Sequence, residues 1–555
     1  MWVDPIGRIS GHLPTDNIWF AWLLAHGAYS VENLSNPLFS DRMNVPDGVN
    51  MMANTSVLGV SILLSPITLW LGPQIAYNTY LTLALAASAG SCYYVFSRHL
   101  VKSRVAAWIG GAFFGFAPGI VHHANGQPNF VSNFLLPFIV LRVFLLRQPG
   151  RVVRNGVILG LLVTWQVFIN EELLLLAALA CVAAVGVYVV MRPAEARKVV
   201  KPFIAAGLIG VSVALSLLAY PLAFQFFGPQ SYSGIPHAFS DWGEDLMAYF
   251  TFARDTLAGD AYVEKNIGRS EQNSWFGIPL VVILLLIVVL TWRRSLVARV
   301  TVILAMLFAV FAVGPVVRID LRVTPISGPW RLFDGLPLVS YMIPSRLVYV
   351  VVACVAVLLA VATDLLRQLS IPSSPMTFRG MWYVALAIAL VPIVPMPLPV
   401  TTAPTVPAFI TAGTWRQFVA DDYTLVSVPT PSNTYGLKAL LWQAVARHEY
   451  KMPRGYFLGP DTTGRGMYGA PTEPTQAVID KVAKTGQVPV ITDTMRQEAR
   501  NDLRRWRAAV LVLDVGDKHE FALRETVTQL TDVQPVLMDG AWVWDVRAIV
   551  TGTEQ

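Results

Sequence analysis

NGVILGLLVTWQVFINEELLLLAALACVAAVGVYVVM, residues 155–191, is nearly unbroken apolar sequence, and how it divides decides the fold. As one helix it would measure about 55 Å at about 1.5 Å per residue, whereas bilayer hydrocarbon is about 30 Å thick and needs roughly 20 residues. One membrane cannot hold it straight. The polar interruption Asn170, Glu171, Glu172 therefore separates two spans and sets two carboxylates at one membrane surface.

Working outward, the whole chain has the same character. It has 555 residues, 54% of them hydrophobic and only 14% charged, with a mean hydropathy of +0.53, which excludes a soluble enzyme. Cys92, Cys181 and Cys354 all lie in apolar runs and read as small core residues, with no disulfide framework or metal site. Ten segments approach spanning length: 75–97, 105–121, 130–146, 155–169, 173–191, 202–226, 275–292, 300–316, 347–366 and 380–400. The connections after every odd-numbered segment are basic: RHLVKSR, RQPGRVVR, MRPAEARKVVK, WRRSLVAR and RQLSIPSSPMTFR. HHANGQPN and NEE, between them, carry no lysine or arginine, so the basic set is expected to be cytoplasmic. The net charge of +6 is thus spent on topology and does not point to nucleic acid.

This reading predicts a polytopic α-helical membrane protein with a C-terminal extracytoplasmic α/β domain, multi-pass in the cell (cytoplasmic) membrane. Residues 1–74 form a first outer loop, 75–400 a transmembrane domain with outer loops 227–274 and 317–346, and 401–555 the α/β domain. Within the first loop, SVLGVSILLSPITLWLG is interrupted by Pro66 and is expected to be interfacial or re-entrant. Ile18 to Tyr29 is too short to span, and Trp19 and Trp22 suit the headgroup region. Sending this loop outward without a cleavable signal calls for a transmembrane helix upstream of Met1.

After residue 401, YTLVSVP, AAVLVLDV and the PVLMDGAWVWDV hairpin, with Asp539 and Gly540 as its turn, read as strands. YGLKALLWQAVARH, PTQAVIDKVAKTG and TMRQEARNDLRRWR read as helices. GPDTTGRGMYG is glycine-rich but lacks the lysine and helix of a phosphate-binding loop, so it reads as a surface loop.

Chemistry concentrates at the outer rim. Asp16, after Pro14 and Thr15, reads either as the N-cap of a helix starting at Asn17 or as an outward general base beside an apolar helix. Adjacent helical positions diverge by about 100°, so one of Glu171 and Glu172 at most faces an interior; Glu171 is favoured. With Asp16 it is the candidate pair for a divalent cation, the one cofactor entertained. His122 and His123 lack metal-ligand spacing and, with Gln127 and Asn129, suit hydrogen bonding to a polar substrate. The outer arginines Arg318, Arg322, Arg331 and Arg346 break the positive-inside bias; Arg346 reads as a snorkelling anchor or a bidentate phosphate grip. The acidic stretch DWGEDLMAYFTFARDTLAGDAYVEKNIGRSEQ is placed to cover such a site.

In order and topology these features resemble the GT-C superfamily of membrane glycosyltransferases, which includes polyprenyl-phosphate-sugar transferases for mannose, arabinose and aminoarabinose. The resemblance runs through PTDNIWFAW, NPLFSDRMNVPDGVN, an outer apolar helix, HHANGQPN, INEE, EQNSWFG, IPSR and a terminal outer domain, nearly the whole chain. It implies a GT-C-like fold with Asp16 as catalytic base. It further implies a hexosyl- or pentosyltransferase, moving a sugar with inversion from a polyprenyl-phosphate donor in the bilayer to a glycan, glycolipid or protein acceptor. A GT-C enzyme has a helix before this loop, where this chain begins. Two readings of other classes stand beside it: a transporter or flippase of lipid-linked sugars, disfavoured by the near absence of charge in mid-span, and a noncatalytic envelope-assembly protein.

Overall fold

The computed structural model describes residues 1–234, 242–260, 271–333, 336, 342–368 and 375–552, the side chains of 375–378 excepted. Parts of the acidic stretch and of the RQLSIPSSPMTFR connection lie outside the described residues. The chain divides into two compact units: Met1–Thr79 with Ala219–Pro236 and Val400–Gln555, and Tyr80–Leu218 with His237–Pro399.

The second unit is helical. With the helix leading into it, Pro73–His99, ten helical segments fall on the ten predicted spans: Arg104–Phe116 continued by Pro118–His123, Leu136–Leu145, Val152–Val167, Glu171–Met191, Pro193–Phe227, Gly277–Thr291, Leu296–Ala312, Val348–Gln368 and Pro375–Leu390 follow it. Arg104–His123, Glu171–Met191, Pro193–Phe227 and Pro344–Gln368 are long and apolar enough to cross a membrane. The 155–191 stretch breaks where its polar residues stand: one helix ends at Val167, and Asn170 caps the next, its side chain accepting from the Leu173 amide at 3.0 Å. Val182, Val190, Leu208, Leu285 and Val289 are exposed on these helices, an apolar surface suited to lipid and not to water. Gly156 and Gly160 let the backbone of Pro193–Phe227 come close: a Cβ on Gly160 would lie 2.6 Å from the Gly210 carbonyl oxygen.

The first unit joins segments remote in sequence. Arg8–Ser10 pairs antiparallel with Val400–Thr402. Pro14–Glu32 packs on Ser65–Leu71 and Lys438–Val445. The expected headgroup position of Trp19 and Trp22 is corrected here: both are buried, and Trp22 Nε1 donates to Gln443 Oε1 at 2.7 Å. Gln443 in turn donates to the carbonyls of Arg42 and Tyr450. A helix apolar all round, as this one is, calls for protein on every side. The Pro66 run forms two short helices, Leu58–Ser61 and Ser65–Leu71. Gln74, just after it, donates to Asn17 Oδ1 at 3.3 Å.

The C-terminal strands and helices lie where the sequence places them. The sheet runs Val536–Met538, Ala541–Asp545, Ala508–Asp514, Thr424–Ser427; its last pair is parallel and the others antiparallel. Asp539 and Gly540 both take positive φ, 45° and 78°, as a two-residue hairpin turn of matching twist requires. Its core is built on Val426, Ile479, Leu503, Trp506, Leu511, Leu523 and Trp544. The helix Glu520–Thr531 was not expected, because its threonines and valine favour strand and mask the apolar stripe of Ala522, Leu523, Val527 and Leu530. GPDTTGRGMYG is a hairpin, Leu458–Pro460 with Gly466–Tyr468.

Candidate functional site

In the first unit the predicted catalytic residue meets a group from the far end of the chain. The helix begins at Pro14, not Asn17, and its N-cap Leu13 makes no side-chain bond; Asp16 therefore lies in the first turn and is not the cap. A carboxylate there is favoured by the helix dipole, and Pro14 needs no amide partner at that position. Asp16 is half-buried, and the Tyr456 hydroxyl donates to its Oδ1 at 3.2 Å. The Tyr456 ring meets Trp19 edge-on, centroids 5.9 Å apart, and lies parallel to Tyr468 at 6.3 Å. Burial, reinforced by the charge of Asp16, pushes the Tyr456 phenol well above its ordinary value, so it keeps its proton and donates.

In the second unit Arg346, in the turn Pro344–Leu347, meets one of the predicted glutamates. Its guanidinium binds Glu271 with two parallel bonds, Nε to Oε2 at 2.9 Å and Nη2 to Oε1 at 2.8 Å, while Nη1 bonds Glu172 Oε2. The Phe130 ring lies 4.2 Å from the guanidinium carbon. The expected snorkelling role of Arg346 is thereby revised: the side chain is half-buried and its head is held by two carboxylates of the protein, which engage three of its five N–H donors. Burial opposes charge on Glu271, but Arg346 prevails and holds the carboxyl below its ordinary range.

The favoured glutamate is also revised. Glu171 is exposed at the helix start, whereas Glu172 turns inward to Arg346. His123 is buried between Gln127 Oε1, 2.7 Å from Nδ1, and Asn273 Oδ1, 2.8 Å from Nε2. Asn273 Nδ2 donates to the Glu271 carbonyl. His122 lies edge-on to His123, and the Asn129 carbonyl accepts from Asn170. Gly119 permits this arrangement, since a Cβ there would collide with the Asn273 carbonyl. Glu244, fully buried, accepts from the amides of Asn273 and Ser274 and from the Ser274 hydroxyl; burial pushes it up to about 8 against those bonds.

Glu271, Asn273, Phe130 and Tyr456 were not singled out from sequence. The first two stand in EQNSWFG, a motif whose members carried no assigned role; nothing local marks Tyr456. Among the described residues no group of three or more His, Cys, Asp or Glu is placed to hold a metal ion.

A family profile described as "Domain of unknown function (DUF6311)" matches residues 16–390. No curated protein matches. Among solved structures the chain is similar to the archaeal oligosaccharyltransferase AglB from Archaeoglobus fulgidus in complex with an inhibitory peptide and a dolichol-phosphate. Identity is 12% and the TM-score 0.46, over 91% of this chain and 66% of that one, so this chain spans just under two thirds of its length. It is also similar to ArnT from Cupriavidus metallidurans in the apo state, at 10% identity and a TM-score of 0.44, over 99% of this chain and 96% of that one. Both are GT-C proteins, the superfamily that the sequence resembles.

Proposed function

The chain belongs to the DUF6311 family, and from its own residues we propose that it is an integral-membrane glycosyltransferase acting at the outer face with Asp16 as general base. The observation that carries this reading is the half-buried Asp16 carboxylate at a helix start, at the residue where the GT-C resemblance puts the base. The donor is a sugar on a polyprenyl phosphate in the bilayer. Asp16 accepts the proton of an acceptor hydroxyl on a glycan, glycolipid or protein; that oxygen forms the new glycosidic bond as the bond from the anomeric carbon to phosphate breaks. Phosphate leaves with the electron pair, and in-line attack inverts the configuration. Within the second unit, Arg346 organises the carboxylates of Glu172 and Glu271.

The test is transfer from radiolabelled polyprenyl-phosphate sugars by purified full-length protein, with Asp16→Asn alongside and with EDTA as the probe for a divalent cation. Loss of a general base lowers kcat by about 100-fold to 10,000-fold. Product from wild type and none from the variant is the expected result. Product from both returns Asp16 to a structural role, and silence from folded wild type moves the protein to transport or assembly.

A further inference from the structure

Resting on that reading, we propose that Tyr456, in the C-terminal segment, is a positioning residue for Asp16: its hydroxyl aims the carboxylate and lowers its proton affinity. Three observations support it. The hydroxyl reaches Oδ1 at 3.2 Å across 440 positions of sequence. The ring cannot turn freely, because Trp19 meets it edge-on and Tyr468 lies parallel to it, at 5.9 and 6.3 Å. Trp19 is itself stacked on Trp22 at 5.2 Å, and Trp22 is tied to Gln443, so the donor's direction is set by the packed core of the unit.

The chemistry follows. A phenol that stays protonated offers a hydrogen bond to the charged carboxylate and loses it when the carboxylate is protonated; the bond therefore favours the ionised base. The bond is made at Oδ1. The elements packed on this helix differ in their ionisable groups. Leu58–Ser61 and Ser65–Leu71 carry none, and Lys438 of Lys438–Val445 is bound to Asp514 and Asp517. Arg8 lies on the exposed end of the Arg8–Ser10 strand, and His12 stands four residues before Asp16 in the chain.

The experiment is the pH profile of kcat/KM for wild type and Tyr456→Phe, with Tyr468→Phe as the control for ring packing. The expected result is an acidic limb moved up by about one pH unit in Tyr456→Phe, kcat falling more than KM changes, and no movement in Tyr468→Phe. An unmoved limb in Tyr456→Phe overturns the proposal. Thermal melts of Asp16→Asn, Tyr456→Phe and the double variant at neutral pH separate this from failure of the glycosyltransferase reading. Non-additive shifts support the pair even in a protein that transfers no sugar, and additive shifts overturn it.

Discussion

Glu171 and Glu172 are neighbours in sequence and opposites in environment. The helix turns about 100° per residue, so only one reaches Arg346, and the phase of the helix, fixed by its Asn170 cap, selects Glu172. Glu172→Gln should therefore lower the thermal midpoint of the detergent-solubilised protein more than Glu171→Gln does. Glu271→Gln should cost more, about 3 to 5 kcal/mol, because it breaks the bidentate pair and leaves buried charge short of a partner. The sign with pH follows from a depressed carboxyl. Its contribution is present above the ordinary carboxylate range and is lost as pH falls through the lower folded value, so acid should narrow the gap between wild type and Glu271→Gln. A gap that does not change with acid would put the Glu271 contribution in packing instead of charge.

At the scale of elements, close helix packing rests on missing side chains. Gly160 of Val152–Val167 faces the backbone of Pro193–Phe227, and backbone cannot step aside as a side-chain tip can. Gly160→Leu should force the two helices apart and destabilise by about 1 to 3 kcal/mol, read as thermal unfolding in detergent. Gly186, with nothing near its Cβ position, is the control: Gly186→Ala should be neutral or stabilising by up to about 1 kcal/mol. The element pattern was legible because hydrophobic length and lysine or arginine bias act locally. The buried Pro14–Glu32 helix was misplaced for the same reason: tryptophans beside an apolar stretch fit a headgroup layer and a protein core equally well, and only its packing partners distinguish them.

For the whole molecule, the first unit fixes a parity. Residues 53 and 232 are joined by a hydrogen bond from the Tyr232 hydroxyl to the Ala53 carbonyl at 2.5 Å, and strand 8–10 pairs with 400–402. Six helical segments separate residue 73 from 227, and four more, among the described residues, separate 237 from 399. Both counts are even, so if each segment crosses once the chain ends lie on one side of the bilayer. Single cysteines at Val3 and Thr462, in a background free of the three native cysteines, should therefore react alike with an impermeant maleimide on intact cells. A cysteine at Lys102, in a basic connection, should react only after permeabilisation. Reaction of Val3→Cys and Thr462→Cys from opposite sides would break the assignment.

The sequence alone determined the membrane class, the ten helical segments and the strands of the C-terminal sheet, and it named Arg346 and Glu172. Those follow from hydrophobic burial and charge placement, which are written in short windows. Only the tertiary structure decided that the two ends of the chain form one unit, that Glu172 and not Glu171 faces Arg346, and that Tyr456 bonds Asp16. Each of those depends on helix phase or on contacts across as many as 440 residues, and no local pattern carries the rotation of a helix or the meeting of remote segments.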